Sequence, residues 1–196
     1  MGQSDDTYKC EVDQVIVGID QIEALNYQRS RAPGVADPRR AKVRFASEQM
    51  LIHLDIIFAN SFFKAGVWGQ EWAGVASDAT GQQFLKFSDA NFDPVHFFDE
   101  RIRDIKQSGR RKPNRLSLGY DAYLALKNHP DLLERVKYTG TTANPANVTP
   151  AVLAELFGVE KVKVLESTYN AGGIGSEDMQ FICDTKGALL SYAPPV

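Results

Sequence analysis

Cysteine is nearly absent from this chain of 196 residues: only Cys10 and Cys183 occur, far apart in sequence. Two such residues make neither a disulfide framework nor a metal-ligand spacing, and they fit a reducing compartment. Histidine is almost as scarce. His53, His96 and His129 stand alone, with no pair three or four residues apart to set two imidazoles on one helix face, so all three read as structural or solvated. No run of about 18 apolar residues exists to span a membrane. The opening MGQSDDTYKC has no basic start followed by an apolar stretch, so no signal peptide is expected. The sequon at Asn147-Val148-Thr149 carries no meaning without one. Neither sign of charge dominates: 22 Lys and Arg face 25 Asp and Glu, net -3, which excludes a general nucleic-acid binder acting through whole-chain charge. The expectation is a soluble protein made inside a cell.

Familiar catalytic signatures are missing too. There is no GxSxG elbow, and neither cysteine has an evident histidine or helix-start partner. Gly172-Gly173-Ile174-Gly175 is the nearest approach to a phosphate loop. A true one needs GxxxxGK[ST], or a helix directly after the glycines. Here Ser-Glu-Asp and a strand-like stretch follow, and the acids would repel phosphate. Asp99-Glu100 and Glu177-Asp178 are neighbouring carboxylates. Side chains adjacent in sequence diverge, so solvated faces explain them better than a catalytic pair. No cofactor, metal or catalytic residue is assigned, and the chain is not read as an enzyme.

What the sequence does contain is ordinary globular material, 43% hydrophobic and 24% charged, enough for one domain with a real core. Tyr8 to Ile19 reads as a strand and Arg29 to Val35 as a loop. Asp37-Pro38, Asp93-Pro94 and Thr149-Pro150 repeat one helix-start device, a capping side chain followed by proline in the first helical position. After Pro38 no Gly or Pro appears until Gly66, and Pro38 to Lys64 is 27 residues, roughly 40 Å if straight. Val43, Met50, Leu51, Leu54, Ile57, Phe58 and Phe62 are expected on its apolar side. Arg39, Arg40, Lys42 and Arg44 oppose its dipole unless carboxylates meet them. Trp68 to Gln83 reads as loop, Phe84 to Phe87 as a short strand, and Asp93 to Gly109 as a helix. A strand at Leu116 to Leu118 follows, then a helix from Asp121 that stops before Pro130. Thr141 to Asn147 is a polar loop. After the helix from Pro150 to Gly158 come strands at Val159 to Leu165, Met179 to Thr185 and Ala188 to Tyr192, the last two joined by a tight turn at Lys186-Gly187. The glycine-rich loop 170–178 reads as mobile. The fold class is α+β.

One charge run stands out. Arg101, Arg103, Lys106, Arg110, Arg111, Lys112 and Arg115 face a single acid, Asp104. A cationic helix C-terminus running into a solvated loop would explain it. So would a patch for phosphate backbones or an acidic neighbour. It lacks the interleaved aromatics of a single-strand reader.

The stretch DPVHFFDERIRDIKQSGRRKPNRLSLGYDAYLALKNHPDLLERVKYTG, followed by VTPAVLAELFGVEKVKVLESTYNAGG and the closing GALLSYAPP, resembles the major capsid proteins of tailed bacteriophages. The matching elements are Asp93-Pro94-Val95, Lys112-Pro113-Asn114, Leu118-Gly119, Ala125 to Pro130, Val148 to Val164 and Leu189 to Pro195. Together they cover roughly residues 85 to 196. The resemblance implies a Hong Kong 97-type fold, with the long helix as its spine and a mixed α/β axial region. It also implies residues 1–66 as strand plus spine helix (the peripheral-type region) and 67–196 as the axial-type region, in one structural unit.

The function implied is a self-assembling subunit of an icosahedral phage shell, forming pentamers and hexamers that enclose DNA. Its partners would be its own copies, double-stranded DNA held non-specifically, and scaffolding or portal proteins, with no membrane. Its place would be the virion capsid, assembled in the host cytoplasm. The basic run from Arg101 to Arg115 becomes a candidate subunit or DNA contact. Asn170, Gly172, Gly173 and Gly175 become a candidate loop at a capsomer axis. Family members carry an N-terminal arm and extended hairpin before the spine helix and a further strand after the last prolines, so this chain reads as shortened at both ends. The alternatives are an encapsulin-like cellular shell protein, and a small α+β enzyme using the glycine-rich loop with Asp99 or Glu100.

Overall fold

The computed structural model describes residues 12–30, 37–137, 147–173 and 175–194. The chain divides into two compact units, Met1–Leu54 and Asp55–Val196.

In the first unit the strand expected over 8–19 is not formed at 12–19; residues 8–11 lie outside those described. Val12 and Ile16 are exposed and pair with no strand. A helix the sequence reading missed follows instead, α1 (Gln21–Ser30). Asp20 starts it, its Oδ1 accepting from the Ile22 N–H at 3.2 Å. Asp37 starts α2 (Pro38–Ser61) the same way, accepting from Arg39 N–H at 2.9 Å. One of the misplaced cations finds its carboxylate: Lys42 Nζ lies 2.6 Å from Glu23 Oε2 and 3.0 Å from the Gly18 carbonyl.

Most of the apolar side assigned to α2 is the outward one, although Phe58, assigned to the same side, is half-buried against Ala59, Phe63 and Cys183. Val43, Leu51 and Leu54 are 65%, 63% and 53% exposed, whereas Ile52, Ile56 and Ala59 are turned inward. At 3.6 residues per turn these lie opposite the expected stripe. The helix is apolar on two sides, so periodicity could not select the buried one.

The second unit is built on a three-stranded sheet in which Arg115–Gly119 lies between Lys161–Leu165 and Ala188–Ser191. Ahead of it, β1 (Ala73–Val75) pairs parallel with β2 (Gln83–Leu85) inside a region expected to be mostly loop. Glu71 ties the preceding turn: its carboxylate accepts from the Gly66 and Trp68 N–H groups, which hold it below the usual carboxylate range. Helix α3 (Pro94–Gly109) begins where Asp93 Oδ1 accepts from Val95 and His96 N–H, and ends at Arg110 in the left-handed region. Strand β3 (Arg115–Gly119) follows, then α4 (Tyr120–Lys127), α5 (Pro130–Lys137), α6 (Pro150–Leu156) and β4 (Lys161–Leu165). The loop read at 141–147 lies outside the described residues except for Asn147. Because β3 and β4 are parallel, the chain must cross over between them, and the helices make that crossover.

β5 (Thr168–Asn170) and β6 (Met179–Phe181) form a separate antiparallel pair, while β7 (Ala188–Ser191) pairs with β3. The expected hairpin through Lys186-Gly187 is therefore not formed. Gly187 instead offers its carbonyl to Gly119 N–H at 2.9 Å. The result is a mixed α+β architecture.

Alternation divides the sheet's two faces. Leu116, Leu118, Val162 and Leu190 turn to the main core with Phe98, Leu126, Leu132, Leu153 and Phe157. On the other face, Leu165 and Leu189 pack at one end against Ala59, Phe63 and Cys183. Two glycines permit close approach there. A Cβ on Gly119 would stand 2.3 Å from the Asp184 carbonyl oxygen, and one on Gly187 2.8 Å from the Phe63 ring.

Asn114 joins the three strand ends. Its backbone carbonyl accepts from Glu160 and Lys161, and its N–H donates to Ser191. Its side chain donates to Glu160 Oε2 at 3.2 Å and to the Ala193 carbonyl at 2.8 Å, and accepts from Ala193 N–H at 2.8 Å.

Candidate functional site

The basic run separates into members with different surroundings. Arg101 is not a free charge. Its guanidinium lies 3.7 Å over the Trp72 ring and 5.4 Å from the Phe97 centroid. It pairs with Glu100 at 3.1 Å and Asp104 at 3.3 Å, and its side chain is 14% exposed. It clamps the 72 region onto α3. Arg103, 71% exposed, reaches Asp104 at 3.4 Å, and Lys106 is exposed in the last turn of α3. Beyond the helix, Arg111 lies 5.7 Å from the Tyr192 ring. Lys112 Nζ is near Gly158, just before β4. Arg115 opens β3 on the sheet face opposite the main core, exposed.

Strand register adds two cations that the linear run does not contain. Arg115 pairs with Lys161 and Ser117 with Lys163 across β3 and β4. The alternation Lys-Val-Lys-Val in β4 was the available signal, because it sends both lysines to one face.

The described part of the glycine-rich segment joins β5 to β6 and is tied by hydrogen bonds. Asn170 Oδ1 accepts from the Gly172 and Asp178 N–H groups, both at 2.9 Å, and its Nδ2 donates to the Ser176 carbonyl at 3.2 Å. Ala171 N–H reaches the Asp178 carbonyl at 2.8 Å. A Cβ on Gly172 would meet the Ser176 carbonyl at 2.6 Å, so the turn needs a glycine there. Gly173 and Gly175 are unobstructed, Gly175 with φ of 89°. At the hairpin's base, Phe181 stacks on Tyr120, centroids 5.5 Å apart.

The other titratable groups are accounted for locally. His129 is buried with Nε2 2.9 Å from the Asp89 carbonyl, which makes Nε2 the protonated nitrogen. His96 lies 3.5 Å from Glu100, the carboxylate already engaged by Arg101, and Asp99 is exposed. His53 lies 3.0 Å from Asp13. Among the described residues no three metal-ligating side chains cluster, and no helix is long and apolar enough to cross a membrane. Beyond Arg101, the members of the basic run lie at the surface.

No protein-family model matches the chain. Over 111 residues it is 34% identical to the major capsid protein of Burkholderia phage BcepMu, a match covering 56% of this chain and 33% of that protein. The chain therefore spans about a third of the length of the curated relative it matches. It is also similar in structure to a phage-related protein from Bordetella bronchiseptica RB50, solved by crystallography, with a TM-score of 0.58 at 23% identity, over 72% of this chain and 43% of that one. At that identity the likeness speaks of fold alone. The resemblance to phage major capsid proteins read from the sequence is borne out by the curated relative.

Proposed function

We propose that this chain is the core of a structural subunit of a phage-type icosahedral shell, with a Hong Kong 97-type fold. The observation that carries the reading is the 34% identity over 111 residues to a phage major capsid protein. On this reading α2 is the spine helix, residues 1–66 are the peripheral-type region and 67–196 the axial-type region. The role is structural and non-enzymatic. The partners are further copies of the chain, arranged by heterologous contacts that close into five- and six-fold rings. Packaged duplex DNA and scaffolding or portal proteins are further partners, and the virion capsid, assembled in the host cytoplasm, is its location.

Two features support self-association. Val43, Leu51, Leu54 and Ile57 leave an apolar side of α2 open, a kind of surface that marks interaction sites. The hairpin stapled by Asn170 carries Gly172, Gly173 and Gly175 about its turn, small residues that suit an axis where copies of one loop meet. Arg103, Lys106 and Arg110 remain candidate contacts to a neighbouring subunit. Light scattering across a range of protein concentrations tests the reading. Mass should rise toward multiples of five or six protomers, and Leu51→Gln with Leu54→Gln should suppress the rise. A mass fixed at one protomer throughout would overturn it.

A further inference from the structure

We propose that the open face of the β4-β3-β7 sheet is a docking surface for the phosphate backbone of double-stranded DNA, through Arg115, Lys161 and Lys163. This deepens the shell reading by naming which cations meet the packaged duplex.

The face is made by register. Arg115 and Lys161 are direct partners on neighbouring strands, and Lys163 lies two residues further along the same face. Strand geometry sets neighbouring strands about 4.8 Å apart and same-face residues about 6.6 Å apart. Like charges placed directly opposite each other destabilise a sheet. Among the described residues, no carboxylate lies within ion-pair range of any of the three. All three side chains are exposed. Arg111 and Lys112 extend the positive region around the same end of the sheet, toward Tyr192 and Gly158. Ser117, beside Lys163, and Ser191, flanking Arg115 on the β7 side, add neutral hydroxyls able to bond phosphate oxygens. A chain of net charge -3 thus concentrates uncompensated cations on one flat surface.

The alternative occupant is an acidic surface of a second copy. Exposed carboxylates are spread over separate elements, with Asp99 on α3, Glu134 on α5, Glu155 on α6 and Glu177 in the hairpin loop. They form no matching plate. The three strands themselves carry no aromatic residue on which an unpaired base could stack, which favours a duplex backbone over a single strand.

The test is fluorescence anisotropy of a labelled, mixed-sequence DNA duplex between about 50 and about 200 mM salt, a range over which phosphate contacts are lost steeply. Three phosphate contacts give a log–log salt slope of about -2.7, or roughly 40-fold weaker binding across that range. Lys161→Gln combined with Lys163→Gln should make the slope shallower by about 1.8. Lys86→Gln, an exposed lysine just after β2, should leave it unchanged. Circular dichroism confirms that each variant is folded. Absence of binding by the parent chain, or an unchanged slope in the double variant, overturns the proposal. So does a double variant that keeps its DNA binding but loses self-association in light scattering, because the face would then belong to a neighbouring copy. Lysine-dependent DNA binding by a protein that never associates would leave this proposal standing and remove the shell reading instead.

Discussion

Replacing Asn114 by alanine cuts the knot that holds three strand ends together. The side chain makes three hydrogen bonds, at 3.2 Å to Glu160 Oε2 and at 2.8 Å to each of the Ala193 carbonyl and N–H. Each is worth about 1 kcal/mol net, the bond to a carboxylate rather more, and orphaning the half-buried Ala193 groups adds to the loss. The expected destabilisation is about 3 kcal/mol. Urea titration followed by far-ultraviolet circular dichroism and by tryptophan fluorescence measures it, with the denaturant slope unchanged if the native state stays compact. Asn114→Asp sharpens the test. It keeps the acceptor for Ala193 N–H, removes both donated bonds and sets a second carboxylate beside Glu160. It should be about as damaging at neutral pH and recover part of the loss as pH falls toward about 4, where carboxylates take up protons. A loss below about 0.5 kcal/mol for Asn114→Ala, the scale of an ordinary surface change, would refute the argument that this residue ties β3, β4 and the segment after β7.

Arg101→Met removes the cation stacked on Trp72 while keeping its length. It should cost about 2 kcal/mol and shift Trp72 emission toward that of a wetter ring, and Arg101→Lys should rescue little, because an ammonium cannot stack as a planar guanidinium does. Gly119→Ala sets a Cβ 2.3 Å from the Asp184 carbonyl and should lower the thermal midpoint by well over 5 °C, a loss of more than about 2 kcal/mol; a normal midpoint would show that the 184–185 segment does not cross β3 so closely. Burial, with the Asp55 carboxylate second, raises the Cys183 thiol above its ordinary value. The unfolded chain therefore gives up this proton first as pH rises. Its stabilising contribution is complete below the unfolded thiol value and falls away above about pH 8.5, so Cys183→Ala should flatten the alkaline limb of a stability–pH curve.

Much of the architecture was readable where local chemistry decides it. Asp37, Asp93 and Thr149, each ahead of a proline, mark the starts of α2, α3 and α6, because a capping side chain and a pre-set φ act within one turn. The strands around Leu116, Val162 and Leu190 were legible as well, since alternation and a buried face specify them together. What failed depended on partners distant in sequence. Met179 to Phe181 pairs with Thr168 to Asn170 rather than with β7, and nothing local to Lys186-Gly187 reveals that. The first segment looked like a strand by composition, but strand formation needs a neighbour to pair with. The basic run illustrates the same limit for the site. Its seven members look alike in sequence, yet Arg101 is held by aromatic rings and carboxylates while Arg115 lies open beside Lys161. The glycines of 170–175 suggested mobility, and a single asparagine side chain staples them.

A shell tile must assemble with its own copies. Negative-stain electron microscopy at the highest soluble protein concentration tests it most directly. Class averages should contain closed rings of five or six copies, or curved sheets built from them. Uniform single-protomer particles at every concentration and salt would contradict the account.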